Sequence, residues 1–275
     1  MCHMSSISED MPSRDNEIGD KIMDYSKLLQ AILDIAEEML ICGAEVERVE
    51  DSIERMCGAY GCTRTNAFII TSNIQVTFED PNGNIITQIR RIVRNDVNFD
   101  RLDYLNDLSR YICSNKPPLQ KLMEKYEEVM NRKQRPIWVT YLGAVLASSG
   151  FAVFFGGNIA DGFYAGALGI IITAVQRTFG IYEKNALAMA FICSVIAGSA
   201  AVAAIPLGIN VHIDKVMIGG IMLLIPGIAM TNSIRDMLAG DIGTGLLRLA
   251  NSLLLAAAIA CGFALPMILT GGVAL

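Results

Sequence analysis

The feature that most constrains this chain is the scarcity of charge in its second half. Between Pro136 and Leu275 there are five Lys/Arg and five Asp/Glu in 140 residues, and they cluster between long apolar runs. Such runs are at home in hydrocarbon, where a charged side chain at mid-bilayer costs about 2.5–3.5 kcal/mol. The first half is a different kind of polymer. Up to Arg135 it carries 17 Lys/Arg and 23 Asp/Glu, so it holds the whole of the chain's net charge of −6. An acidic water-soluble segment therefore precedes an α-helical integral membrane segment.

About 20 helical residues cross the ~30 Å hydrocarbon core. The pattern predicts five transmembrane helices at about 137–155, 161–176, 185–205, 214–230 and 246–270, the second being the shortest. Arg132, Lys133 and Arg135 precede the first span, Arg177 and Lys184 lie between the second and third, and Arg235 and Arg248 flank the loop before the fifth. The connections at 156–161 and 206–213 hold no Lys or Arg. Positive residues stay inside, so this bias predicts a multi-pass cytoplasmic (plasma or inner) membrane protein with its N-terminal domain in the cytoplasm and its C-terminus outside.

Residues 25–135 read as an α+β domain. Apolar residues recur at helical spacing from Leu28 to Leu40, and again at Val46, Val49, Ile53 and Met56, with a break at Cys42-Gly43 between the two runs. The period then shortens. Residues 67–71, 74–78 and 85–89 are rich in β-branched and aromatic types, and Asn82-Gly83 between the last two signals a hairpin, which predicts a small antiparallel sheet. Two further helices follow at roughly 99–114 and 118–133, separated by Lys116-Pro117-Pro118. Residues 1–24 are polar and acidic with no apolar core of signal-peptide type, and are expected to be a disordered tail.

Several function classes lose support at this stage. No basic stripe favours nucleic acid. No Walker-type glycine loop is present. Seven scattered cysteines form no C-x-x-C pair and no metal cluster, so neither a metal nor another cofactor is expected. His3 and His212 are the only histidines, which leaves the soluble domain without an assembled nucleophile–base set, and the chain is not expected to be an enzyme.

The densest stretch runs from Pro226 to Arg248. Pro226 removes a helical N–H and Gly227 loosens the same turn, so the fourth span can break within the bilayer and offer backbone groups to a polar solute. Thr231 and Asn232 can hydrogen-bond such a solute, and Arg235 can grip a carboxylate in two places, with Asp236 and Asp241 close by. These residues are the candidate substrate path, unless the stretch is simply a cytoplasmic loop with topology-setting arginines and capping aspartates. Asp236 and Asp161 are the candidates for proton coupling, since a carboxyl in a low-dielectric site can alternate between charged and neutral forms. Asp161 also reads as a helix cap. Gly162-x-x-x-Gly166 permits close helix approach. In the soluble domain Gly43, Glu45, Arg48 and Glu50 form a second compact motif around the joint between two helices, which a solvated face with local ion pairs would also explain.

Two patterns, Gly43-Ala44-Glu45-x-x-Arg48-Val49-Glu50 and Pro226-Gly227…Asn232-x-x-Arg235-Asp236-x-x-x-Gly240-Asp241-x-x-x-Gly245-x-x-Arg248, resemble the threonine/serine exporter family over about Leu28 to Leu269. The resemblance implies export of threonine, serine and similar small polar solutes across the cytoplasmic membrane, driven by the proton motive force. Members with fused halves look like this chain followed by a second set of spans. The chain thus resembles the long subunit of the split form, which works with a short partner membrane subunit and can assemble into higher oligomers. Two rivals stand beside this reading: export of small dicarboxylates, and a membrane-anchored enzyme with its chemistry in the N-terminal domain. A scaffold subunit whose spans only dock a partner is a further possibility.

Overall fold

The computed structural model describes residues 24–70, 72–94, 97–133, 136–180, 183 and 185–271. The expected polar tail lies outside the described residues except for Asp24, as do Arg135 and Lys184. Contacts divide the chain into two units, the first comprising the chain up to Ala44 together with Arg48–Met130, and the second Glu45–Glu47 together with Asn131–Leu275.

The first unit is α+β. Helix α1 (Tyr25–Ile41) starts where the Asp24 carboxylate accepts from the Ser26 and Lys27 backbone N–H groups. It buries Leu28, Leu29, Ile32, Ile35, Ala36 and Met39, the stripe its apolar spacing dictates. Gly43, at φ +98, makes the turn into α2 (Val46–Ala59), a backbone state that a Cβ would strain. Strands β1 (Thr63–Ile70), β2 (Asn73–Glu79) and β3 (Ile85–Arg91) form an antiparallel sheet in that order. The β2–β3 turn is tied by Asp80, whose carboxylate accepts from Asn82 N, Asn84 N and Asn84 Nδ2. Helices α3 (Phe99–Asn115) and α4 (Leu119–Met130) complete the unit. Glu38, buried on α1, is held by Arg94 at 2.7 Å and Arg101 at 3.4 Å.

The second unit contains α5 (Ile137–Phe154), α6 (Ile159–Phe179), α7 (Ala186–Val202), α8 (Ile213–Met222), α9 (Gly227–Leu238) and α10 (Ile242–Leu269). Its burial is the reverse of a water-soluble bundle. On α5 the buried residues are Ser148 and Ala152, while Trp138, Leu146 and Phe154 are exposed. Large apolar groups outside and small or polar groups inside is what lipid as solvent selects, and the chain is a multi-pass membrane protein.

Small residues set the helix spacing. A Cβ on Gly166 would lie 2.6 Å from Ser149 Oγ, and one on Gly169 would lie 2.8 Å from the Ala144 carbonyl. Ser148 Oγ donates to Ala165 O and Ser149 Oγ to Gly162 O, so the α5–α6 contact is both close-packed and hydrogen-bonded. The glycine pattern on α6 is thus a packing face.

The helices depart from the expected spans in three ways. Among the described residues three helices, α5, α6 and α10, are long and apolar enough to cross a membrane, and α8 with α9 makes a fourth if the pair, bent by 56°, is one span. Helix α7 is apolar but has only 17 residues. The second span, expected as the shortest, is a 21-residue helix, because the capping box at Asn158 starts it earlier and Arg177 is accommodated in its last turn. The stretch after Pro226, read as a candidate loop, is helical to Leu238, since Gly227 and the residues after it need no donor from Pro226 once that proline is the N-cap.

Candidate functional site

The α8–α9 break spans residues 223–226. Pro226 supplies no N–H to the Met222 carbonyl, and α9 restarts in a new direction with Gly227 as its first residue. Thr231 Oγ1 donates to the Gly227 carbonyl at 3.0 Å, a bond within the helix, and Asn232 also has an interaction of its own. Helix α9 ends at Ala239-Gly240, where Gly240 at φ +107 turns the chain back into α10. The Asp241 N–H donates to the Asp236 carbonyl, and its side chain makes no capping bond.

The α9–α10 hairpin closes tightly because Gly245 has no side chain. A Cβ there would sit 2.4 Å from Met237 Cγ and 2.6 Å from the Ser233 carbonyl. That approach brings α10 against the inner face of α9, where Ser233 and Asp236 are buried. Arg248 Nη1 then lies 2.9 Å from Asp236 Oδ2, a contact at ion-pair range although the N–H is not aligned as a hydrogen bond. Asp236 is only 3% exposed, so an opposite charge beside it is what makes its burial tolerable.

Arg235 and Asp236 sit side by side on α9 but serve different partners. Adjacent residues on a helix point about 100° apart, so the two side chains diverge. Arg235 instead pairs with Glu45 of the same unit. Its guanidinium is thus held by a protein carboxylate, and any solute carboxylate would have to compete for it. The second unit therefore pairs Glu45 with Arg235 and Asp236 with Arg248, and the first pair joins residues of the two sequence motifs. Gly43, Arg48 and Glu50 of the N-terminal motif belong to the first unit: Gly43 makes a turn, Arg48 is exposed, and Glu50 is half-buried with an interaction of its own.

Asp161 is not part of this group. It is the third residue of a capping box whose N-cap is Asn158, correcting its expected place as the cap itself. Fully buried, it accepts from Asn158 N, from His212 N at 2.7 Å and from His212 Nδ1 at 2.9 Å. His212, read from sequence as an interfacial residue, therefore fastens the start of α8 to the start of α6.

Three pairings were missed by the sequence reading, one of them Arg235–Glu45 between residues 190 apart. Asp236–Arg248 had a usable signal: opposite charges on two helical stretches facing each other across the Gly240 turn. Asp161–His212 joins residues 51 apart with no local pattern to mark it.

A family model described as "Putative threonine/serine exporter" matches residues 30–270. A curated relative from Mycobacterium tuberculosis named "Probable threonine/serine exporter" is 25% identical over 247 residues, covering 88% of this chain and 46% of the relative. The chain thus spans about half the length of that relative. No solved structure matches.

Proposed function

Since the chain belongs to the threonine/serine exporter family, we propose that it is an exporter subunit moving threonine, serine and related small polar solutes out of the cytoplasm. The observation that carries this reading is the buried Asp236–Arg248 pair on a hairpin that follows a broken apolar helix. Ionisable groups among membrane helices are expensive, and they occur where a solute or ion must pass. Broken helices supply the backbone groups that a polar solute needs once it has left water.

The finer reading is a five-span arrangement in which α7 and the α8–α9 pair each cross, with the first unit cytoplasmic and the C-terminus outside. The solute path runs along Pro226, Gly227, Thr231, Asn232, Arg235, Asp236 and Asp241. The proton motive force drives export, with Asp236 as the preferred coupling carboxylate. Asp161 is the weaker choice, because three donors already occupy its oxygens. A short membrane subunit of the same family completes the path.

A dicarboxylate would also suit Arg235 and remains the alternative solute. The enzyme reading is weakened by the thiols of the soluble unit. Burial pushes Cys57 up to about 12 and Cys62 up to about 11, so neither offers a thiolate at neutral pH.

The test is efflux from cells loaded with a threonine-containing dipeptide and expressing this chain alone, with a short partner subunit, or neither. Threonine efflux above the empty control supports the exporter reading, and efflux only with both chains supports the split arrangement. Equal efflux in all three removes threonine as the solute.

A further inference from the structure

Helices α2 and α3 of the first unit enclose a cleft of about 380 Å³, within the size range of small-molecule sites. Its rim carries Arg48 and Arg55 from α2 and Arg110 from α3, and its floor is polar, with Ser52, Asn106 and Ser109. Polar side chains that are less than 10% exposed, as these three are, are normally hydrogen-bonded.

Two of them are partly satisfied within their own helices: Ser52 Oγ donates to Arg48 O, and Asn106 Nδ2 to Leu102 O. Ser109, only 8% exposed, lines the cleft and has no hydrogen-bond partner among the described residues. The arginines are arranged similarly. Arg55 engages Asp51 through Nε and Arg110 engages Asp107 through Nη2, which fixes both guanidinium groups while leaving further N–H donors on each. The Arg48 guanidinium has no carboxylate or hydrogen-bond partner among the described residues. The lining thus carries three arginines against one carboxylate, Asp51, together with the Ser109 hydroxyl, on a chain whose overall charge is negative.

We propose that this cleft binds a small organic or inorganic oxyanion, a carboxylate or a phosphate, with Arg48 as the principal charge partner and Ser109 donating a hydrogen bond from the floor. Planar guanidinium forks match the paired oxygens of either group. The proposal does not depend on the transport reading. It would let the soluble unit respond to a metabolite.

The experiment is isothermal titration of the purified full chain in detergent at low ionic strength, with inorganic phosphate, citrate and threonine as separate probes. The expected result is saturable binding of phosphate or citrate, weakened at least tenfold by Arg48→Ala and severalfold by Ser109→Ala, while Arg48→Lys is intermediate. Arg91→Ala, an exposed arginine on β3 of the same unit, should leave the affinity unchanged. Which of the two anions binds more tightly identifies the source of the oxyanion. Lack of saturable binding by either anion overturns the proposal. Equal weakening by Arg91→Ala does so too, by showing unspecific charge attraction. Tighter binding of zwitterionic threonine than of both anions would overturn the oxyanion assignment.

Discussion

Arg248 on α10 lies 2.9 Å from the carboxylate of Asp236 on α9, and both side chains are withdrawn from the surface. The pair exists because Gly240 reverses the chain and Gly245 lets the two helices touch. Removing one partner leaves the other buried and uncompensated, at a cost of about 3–5 kcal/mol. Arg248→Ala and Asp236→Ala are each expected to lower the thermal stability of the detergent-purified chain sharply. The double variant Asp236→Ala/Arg248→Ala should lose less than the sum of the two single losses, and a strictly additive loss would show that the two groups do not interact.

Gly243 and Gly245 make a matched pair of tests on one helix. A Cβ at Gly243 meets nothing within 4 Å, whereas one at Gly245 collides with Met237 and with α9 backbone. Gly243→Ala should be neutral or stabilising by about 0.5–1 kcal/mol from helix propensity. Gly245→Ala should destabilise by about 1–3 kcal/mol through overpacking. Similar melting temperatures for the two variants would mean that the hairpin is not packed as described.

The latch between α6 and α8 is expected to be structural. Asp161→Ala strands the N–H groups of Asn158 and His212, each unmet donor costing about 1–3 kcal/mol. His212→Ala loses one side-chain bond and should cost less. Quantitative melting of both variants in detergent checks that order. A destabilisation by His212→Ala equal to or larger than that of Asp161→Ala would contradict the geometry.

Alkaline pH should weaken the soluble unit through Cys57. Its thiol, pushed up to about 12 by burial, keeps its proton in the fold, while an unfolded cysteine ionises from about pH 9. The folded state therefore binds more protons across that window, and stability falls as pH rises from about 9 to 12, by up to about 1.4 kcal/mol per pH unit. Alkylation with iodoacetamide reads the same effect: at pH 8.5 Cys57 should be protected until denaturant is added. Fast modification in the native chain would show that the thiol is not buried.

Local signals in the sequence carried much of the fold. Leu28, Ile32 and Ile35 announced α1 by their spacing, and Asn82-Gly83 announced the β2–β3 turn. Span lengths were less legible, because hydropathy does not see capping: Asn158 and Asp161 start α6 ahead of its most apolar part. Within the candidate site, the residue types and the break at Pro226 were readable, but the partners were not. Arg235 and Asp236 are neighbours in sequence and diverge in space, while Glu45 meets Arg235 across 190 residues. Pairings of that kind are fixed by helix packing, which composition and periodicity do not encode. Ser109 was hidden for the same reason, since a serine on an amphipathic helix carries no mark of the cleft it faces.

The most direct test of the account is efflux of labelled threonine from proteoliposomes containing the purified chain with its short partner subunit, under an imposed proton gradient. The account predicts efflux above protein-free liposomes, loss of that efflux with a protonophore, and a large reduction by Asp236→Asn in protein that still folds. Threonine efflux no faster than from empty liposomes would contradict the exporter reading, and gradient-independent efflux that Asp236→Asn leaves intact would contradict the role given to this carboxylate.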